Sequence, residues 1–239
     1  MSNTLRDGTM TEDIRLDRIE EFDERSKEYP LMLAPSKKAR LYTWRCNAHL
    51  DQGTEGSCVG HGIAHELAAR PAEVVGMTHT YAKETIYWAA QRIDRWPGGA
   101  YPGAKNDGRF YEGTAVLAGV KIAHKLGWFD SYRWAFGIDD LIMGVGHNGP
   151  AVMGLKWYEG MINPDTNNFI QPTGKTIGGH CLLCNAINVK ESYFTLHNSW
   201  GAQWGFKGEC KITFDDMDKL LKQRGEAVFF QKRHRNAQP

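Results

Sequence analysis

The chain lacks an apolar run of membrane-spanning length, and its first residues carry Arg6, Asp7, Glu12, Asp13 and Arg15 where a cleaved secretion signal needs a hydrophobic core. A membrane-spanning protein and a standard secreted one are therefore not expected, and the cytoplasm is the expected location. An excess of either charge is also missing: 29 Lys and Arg face 28 Asp and Glu, so a net charge of +1 offers no field for nucleic acid. Cysteine is sparse, with five residues, an odd number without regular spacing. That usage fits a reducing compartment better than a disulfide scaffold. There is no internal repeat, low-complexity tract or obvious interdomain linker.

Several site motifs are present only in part. His61 and His65 lie four apart, but His65-Glu66-Leu67-Ala68-Ala69 lacks the second histidine of a zinc protease helix, so surface or partly packed histidines are expected. Cys181 and Cys184 have redox spacing but fall in an expected strand, where residues three apart face opposite ways. Gly98 to Gly103 has the small residues of a phosphate loop without its Gly-Lys-Ser/Thr end, and reads as a surface loop. No metal and no cofactor are expected. Lys232-Arg233-His234-Arg235, close to the end of the chain, reads as a solvated basic tail.

What is present is an ordinary globular balance, 41% hydrophobic and 24% charged, which excludes wholesale disorder. Within it stand three polar blocks: Gln52-Gly53-Thr54-Glu55-Gly56-Ser57-Cys58-Val59-Gly60, then Gly179-His180, then Asn198-Ser199-Trp200-Gly201. Val59, Ile63 and Leu67, with Ala64 and Ala68, recur at helical spacing until Arg70-Pro71, which predicts Cys58 at a helix N-terminus. Free backbone N–H groups there, with a nearby imidazolium, favour the thiolate that attacks a carbonyl carbon. His180 is the candidate acid/base. The Asn198 amide oxygen can fix its tautomer, Trp200 can shield that bond, and Gln52 with the Cys58 N–H can bind an oxyanion.

The three blocks, extended by Trp204-Gly205 and Gly208, resemble the papain-like cysteine peptidases over roughly residues 51–230, as a divergent microbial or viral member. The resemblance implies an α+β, two-lobed fold: an extension over 1–30, then a peptidase domain over 31–239. Its helical lobe would cover about 51–135 and its β-rich lobe about 136–230, with Cys58 facing His180 and Asn198 across a cleft. Strands are expected at Ala151 to Trp157, Cys181 to Val189, Tyr193 to Leu196, Glu209 to Phe214 and Ala227 to Phe230. The resemblance also implies that Gly113, before a helix over 115–126 capped by Thr114, offers backbone hydrogen bonds to an extended peptide. A glycine needed only for the turn is the alternative.

Where the family commonly has a disulfide-forming cysteine, this chain has Glu55, and an aromatic after the nucleophile is replaced by Val59. Gly179 and Cys181 flank the histidine, so this wall of the cleft is small and uncharged and an apolar substrate side chain is expected beside it. The implied function is peptide-bond hydrolysis through an acyl thioester on Cys58, with a polypeptide as substrate and neither nucleic acid nor membrane as partner. An amidase, transpeptidase or cell-wall peptide hydrolase with the same machinery, or a catalytically silent binding protein, are the alternatives. A full inhibitory propeptide does not fit before Gln52. Residues 1 to about 20 are either a short block on the site or, the favoured reading, a disordered tail.

Overall fold

Alternation along the longest strands sends their side chains into two separate cores. The computed structural model describes residues 3–21, 23–32, 37–106 and 111–236; Phe22, within the expected lead-in to the domain, lies outside them. In chain order the elements are β1 (Asn3–Thr4), β2 (Met10–Thr11), β3 (Arg18–Ile19), β4 (Tyr42–Thr43), α1 (Cys58–Ala68), a π-helical stretch Tyr81–Tyr87 running into α2 (Trp88–Ile93), and β5 (Thr114–Ala115). There follow α3 (Val116–Lys125), β6 (Phe129–Trp134), α4 (Ile138–His147), β7 (Ala151–Tyr158), β8 (Thr176–Asn188), β9 (Tyr193–His197), β10 (Glu209–Thr213), α5 (Phe214–Lys222) and β11 (Glu226–Arg233). An antiparallel sheet runs β10-β9-β8-β7-β11-β6, with β4 also pairing β8.

Ala151, Met153, Leu155 and Trp157 of β7 enter one core together with Leu182 and Cys184 of β8, while Val152, Cys181 and Leu183 enter the other. Period-two side chains make this division unavoidable. Cys181 and Cys184 accordingly face opposite ways, as their strand spacing predicts. The first core includes Leu141 and Val145 of α4 and Met217 and Leu220 of α5; the second includes α1 and α3. The class is α+β, as expected from the sequence. No helix among the described residues is long and apolar enough to cross a membrane.

Two local expectations change. The strand expected to reach Phe214 stops at Thr213, because the Thr213 hydroxyl accepts from the Asp216 N–H at 3.1 Å and caps α5. The basic cluster is not a solvated tail: Lys232 and Arg233 belong to β11, and Arg233 is buried against Glu66 of α1. Its Nε donates to Glu66 Oε1, and further N–H groups reach the carbonyls of Asn148 and Pro150. Burial holds Glu66 above the ordinary carboxylate range even beside this guanidinium.

Arg233→Met should therefore strand a buried carboxylate and cost about 3–5 kcal/mol in urea unfolding. Adding Glu66→Gln should recover part of that loss. Equal stability of Arg233→Met and the parent would show that the pair is dispensable.

Candidate active site

Cys58 is the first residue of α1, and Ser57 ahead of it makes no side-chain cap. His180 lies mid-strand in β8 opposite Leu155, and Asn198 follows the end of β9. The Asn198 Oδ1 is 2.7 Å from His180 Nε2 and also accepts the Ser199 N–H at 2.8 Å, so the oxygen is oriented by two donors and the ring proton sits on Nε2. His180 Nδ1 is buried without a hydrogen-bond partner. Trp157 and Trp200 close round the imidazole at ring-centre distances of 4.8 and 5.0 Å. Cys58 joins this group because its Sγ accepts the backbone N–H of Cys181, next to His180, at 3.3 Å.

Gln52 is also brought here: its Oε1 accepts from Ser199 Oγ at 2.6 Å. The two expected oxyanion donors do not converge on one atom in this state. Gln52 Nε2 donates to the carbonyls of Glu55 (2.7 Å) and Arg15 (3.2 Å), whereas the Cys58 N–H reaches Asp17 Oδ1 at 3.3 Å.

Asp17 and Arg15 belong to the N-terminal segment, which lies in the site and is not a disordered tail. Asp17 pairs with Gly179, β3 runs parallel to β5, and the Glu12 N–H reaches the Ile177 carbonyl at 2.9 Å. The Arg15 guanidinium stacks 4.1 Å over Trp200. Two buried arginines anchor the segment: Arg6 on Asp94, with both oxygens at 2.8 Å, and Arg18 on Glu226. Leu16 and Ile19, apolar residues within a charged stretch, are fully buried and were the sequence signal for this docking. Asp17, the residue that sequence reasoning missed, sets its carboxyl Oδ1 2.7 Å from Cys58 Sγ. As a result Cys58, His180 and Gln52 are fully buried and Asn198 is 1% exposed.

Burial reverses the expected electrostatics. The Cys58 thiol is pushed well above its ordinary range, first by desolvation and then by Asp17, and desolvation lowers His180 to about 4. The occluded site thus holds a neutral thiol and a neutral imidazole, not the thiolate–imidazolium pair expected from the helix N-terminus and a neighbouring imidazolium. Asp17, raised by burial to about 8, is itself mostly protonated at neutral pH.

The proposed substrate wall is altered in detail. Gly113 offers no free backbone: its N–H takes the Tyr87 hydroxyl at 2.9 Å, and its carbonyl accepts from Arg6 and Gln91. With φ at +103° and Ile19 lying where a Cβ would be, it serves the turn and the close approach. The strand partner is instead β5. Thr114 does not cap α3, since its hydroxyl donates to Asp94 at 2.7 Å. Gly179 and Trp200 lie against Asp17 and Arg15 respectively. His61 and His65 are fully buried, not surface residues; His61 bonds the Ser57 carbonyl and His79, and His65 Nε2 accepts the Leu50 N–H. Among the described residues no group of three His, Cys, Asp or Glu could hold a metal.

A carboxyl with an unfolded value near 3.8 and a folded value of about 8 holds a proton in the folded state that the unfolded chain releases, so stability should fall as pH rises through that interval. His180 opposes this only below 6.5, where unfolding lets it charge. Melting temperature should therefore decline between pH 6.5 and 8, and Asp17→Asn, which stays neutral, should flatten the decline. An unchanged slope in the variant would show that Asp17 is ionised in the folded protein.

No protein-family model matches the chain. A peptidase C1-like protein of Acanthamoeba polyphaga mimivirus, itself uncharacterised, is 22% identical over 211 residues, covering 70% of this chain; the chain spans 64% of that relative. Xylellain, a cysteine protease from Xylella fastidiosa, superposes with a TM-score of 0.70 at 16% identity, covering 93% of this chain and 97% of xylellain. Procathepsin B of Trypanosoma congolense (TM-score 0.54, 10% identity, 91% and 87% covered) and procathepsin L 3 of Tenebrio molitor (0.52, 14%, 90% and 83%) are also similar. The chain has the papain-like fold shared by these proteases.

Proposed function

We propose that the protein is a cysteine peptidase that hydrolyses polypeptides through an acyl thioester on Cys58. The observation that carries this reading is the His180 Nε2–Asn198 Oδ1 bond of 2.7 Å, which leaves Nδ1 unpartnered, while the N–H of the next residue, Cys181, reaches the sulfur of a cysteine at a helix N-terminus. In the occluded state Cys58 meets a side-chain carboxyl, that of Asp17, not a scissile carbonyl, so the segment blocks the groove without being cut. Catalysis requires residues 3–20 to leave. Water then enters, the desolvation that favours neutral thiol and imidazole falls away, and the Cys58 proton passes to His180 Nδ1.

The thiolate attacks the peptide carbonyl, the Cys58 N–H and the amide of Gln52 take the oxyanion, and His180 returns the proton to the leaving amine. Asn198 holds the imidazole through both steps, and Trp200 covers that bond. Water then attacks the thioester by the reverse proton route, so no cofactor enters the chemistry. Gly179 and β5 flank the extended substrate. All five cysteines are free and buried, which suits residence in the cytoplasm.

With both anchors of the segment removed by Arg6→Ala/Arg18→Ala, appearance of new peptide N-termini from a diverse peptide mixture tests this reading against amidase or transpeptidase chemistry. Cys58→Ala should abolish hydrolysis, His180→Ala should lower kcat more than Asn198→Ala, and Gln52→Ala should cost on the order of 10²-fold. Hydrolysis surviving Cys58→Ala would end the proposal.

A further inference from the structure

Ser57 precedes Cys58, and the peptide group between them has two working ends: its N–H is that of Cys58, the expected oxyanion donor, and its carbonyl belongs to Ser57. That carbonyl accepts twice from His61. The His61 backbone N–H reaches it at 3.2 Å, as the first turn of α1 requires, and the ring adds Nδ1 at 2.9 Å. Ser57 Oγ lies 3.2 Å from the same nitrogen.

A carbonyl oxygen can only accept, so His61 Nδ1 carries the hydrogen. Burial, through desolvation above all, lowers His61 to about 4, so at neutral pH the ring is neutral and its Nε2 is bare. His79 serves that nitrogen: its Nδ1 lies 3.0 Å from His61 Nε2 and is therefore the donor. Beyond it, His79 Nε2 faces Glu55 Oε2 at 3.5 Å, an ion pair for the protonated ring, and the other Glu55 oxygen takes Lys83 Nζ at 2.5 Å. Gly60 permits the approach. A Cβ there would clash with the Ala82 carbonyl oxygen, so α1 rides directly on the π-helical stretch that follows His79 and carries Lys83. Glu55 stands where the family commonly has a disulfide-forming cysteine, and its own carbonyl accepts from Gln52 Nε2 at 2.7 Å.

We propose, on the peptidase reading of Cys58, that Glu55, His79 and His61 form a directional hydrogen-bond relay that polarises the Ser57–Cys58 peptide, with His61 as a positioning residue that strengthens the Cys58 N–H toward the oxyanion. Hydrogen bonds in series polarise one another, and a donor on a carbonyl draws electron density from the amide nitrogen of the same conjugated peptide. The Cys58 N–H becomes a better donor as a result. The gain is larger where negative charge develops in the transition state than where a neutral carbonyl binds, so it belongs to kcat and not to KM. In the occluded state this N–H is already turned to an oxygen, Asp17 Oδ1 at 3.3 Å. Glu55 is thus the outer end of the relay, in the place of a covalent staple.

Ser57-Cys58 is the one Ser-Cys step in the sequence, so full-length protein labelled with ¹³C-carbonyl serine and ¹⁵N cysteine gives a single carbonyl–amide correlation in NMR, that of this peptide. His61→Leu should move the Ser57 carbonyl resonance upfield. His61→Asn, whose side-chain amide can donate from the position of Nδ1, should restore most of the shift, and His79→Ala, at a partly exposed position, should give a smaller displacement in the same direction as His61→Leu. In the Arg6→Ala/Arg18→Ala protein, His61→Leu should lower kcat about two- to eightfold at unchanged KM, with the greater part recovered by His61→Asn.

A carbonyl resonance unmoved by His61→Leu and His79→Ala overturns the relay, as does a loss of kcat that His61→Asn does not recover or a loss that falls on KM. Should His61→Leu fail to fold, His79→Ala decides through the same two readouts. Failure of the peptidase reading has a different signature, in which Cys58 of the Arg6→Ala/Arg18→Ala protein is alkylated by iodoacetamide yet no peptide is cut. The labelled carbonyl needs no turnover and still decides the relay.

Discussion

The close seating of α1 on β8 is the constraint on which the site depends. A Cβ at Gly62 would lie 2.9 Å from Cys181 Sγ, so only glycine lets the helix approach the strand this far. That approach sets the first turn of α1 against the residue next to His180, and the Cys181 N–H reaches Cys58 Sγ as a consequence. Because Leu155 pairs with His180, and Leu183 with His197 just before Asn198, the sheet register places the imidazole and its amide partner from the same side. Interiors packed at this density transmit such placement rigidly. The buried Glu66–Arg233 pair ties the far end of α1 to β11 and so fixes the helix along its length.

A second consequence of this packing is that the site can be sealed by a very short segment. Asp17 does what a longer plug would do, by bringing a carboxyl to the thiol while Arg6 and Arg18 secure it on either side. Burial then disfavours charge on Cys58, His180 and Asp17 alike. The occluded centre is electrostatically quiet.

Much of the machinery was legible because its signals are local. Val59, Ile63 and Leu67 reveal the helix, the period-two run through Met153, Leu155 and Trp157 reveals β7, and the Cys58, His180 and Asn198 blocks each carry their own neighbours. The helices α4 and α5 were not legible: α4 contains Gly144 and Gly146, and α5 buries only Met217 and Leu220 among many charges. Arg233 read as tail because Glu66 lies far away in the chain, and Thr114 read as a cap because Asp94 does.

By itself, the sequence determined that Cys58 begins a helix, that a strand runs on from Cys181 beside His180, and that the residues flanking His180 are uncharged, since each follows from periodicity or from adjacent residues; the α+β class came with the resemblance of the three polar blocks to a known family. Only the tertiary structure decided that Asp17 faces Cys58, that Gly113 serves a turn, and that Arg18 pairs with Glu226. These are contacts between segments remote in the chain. Their energies come from desolvation and from pairing of buried charge, quantities that depend on what surrounds a residue and are not written in the residues next to it.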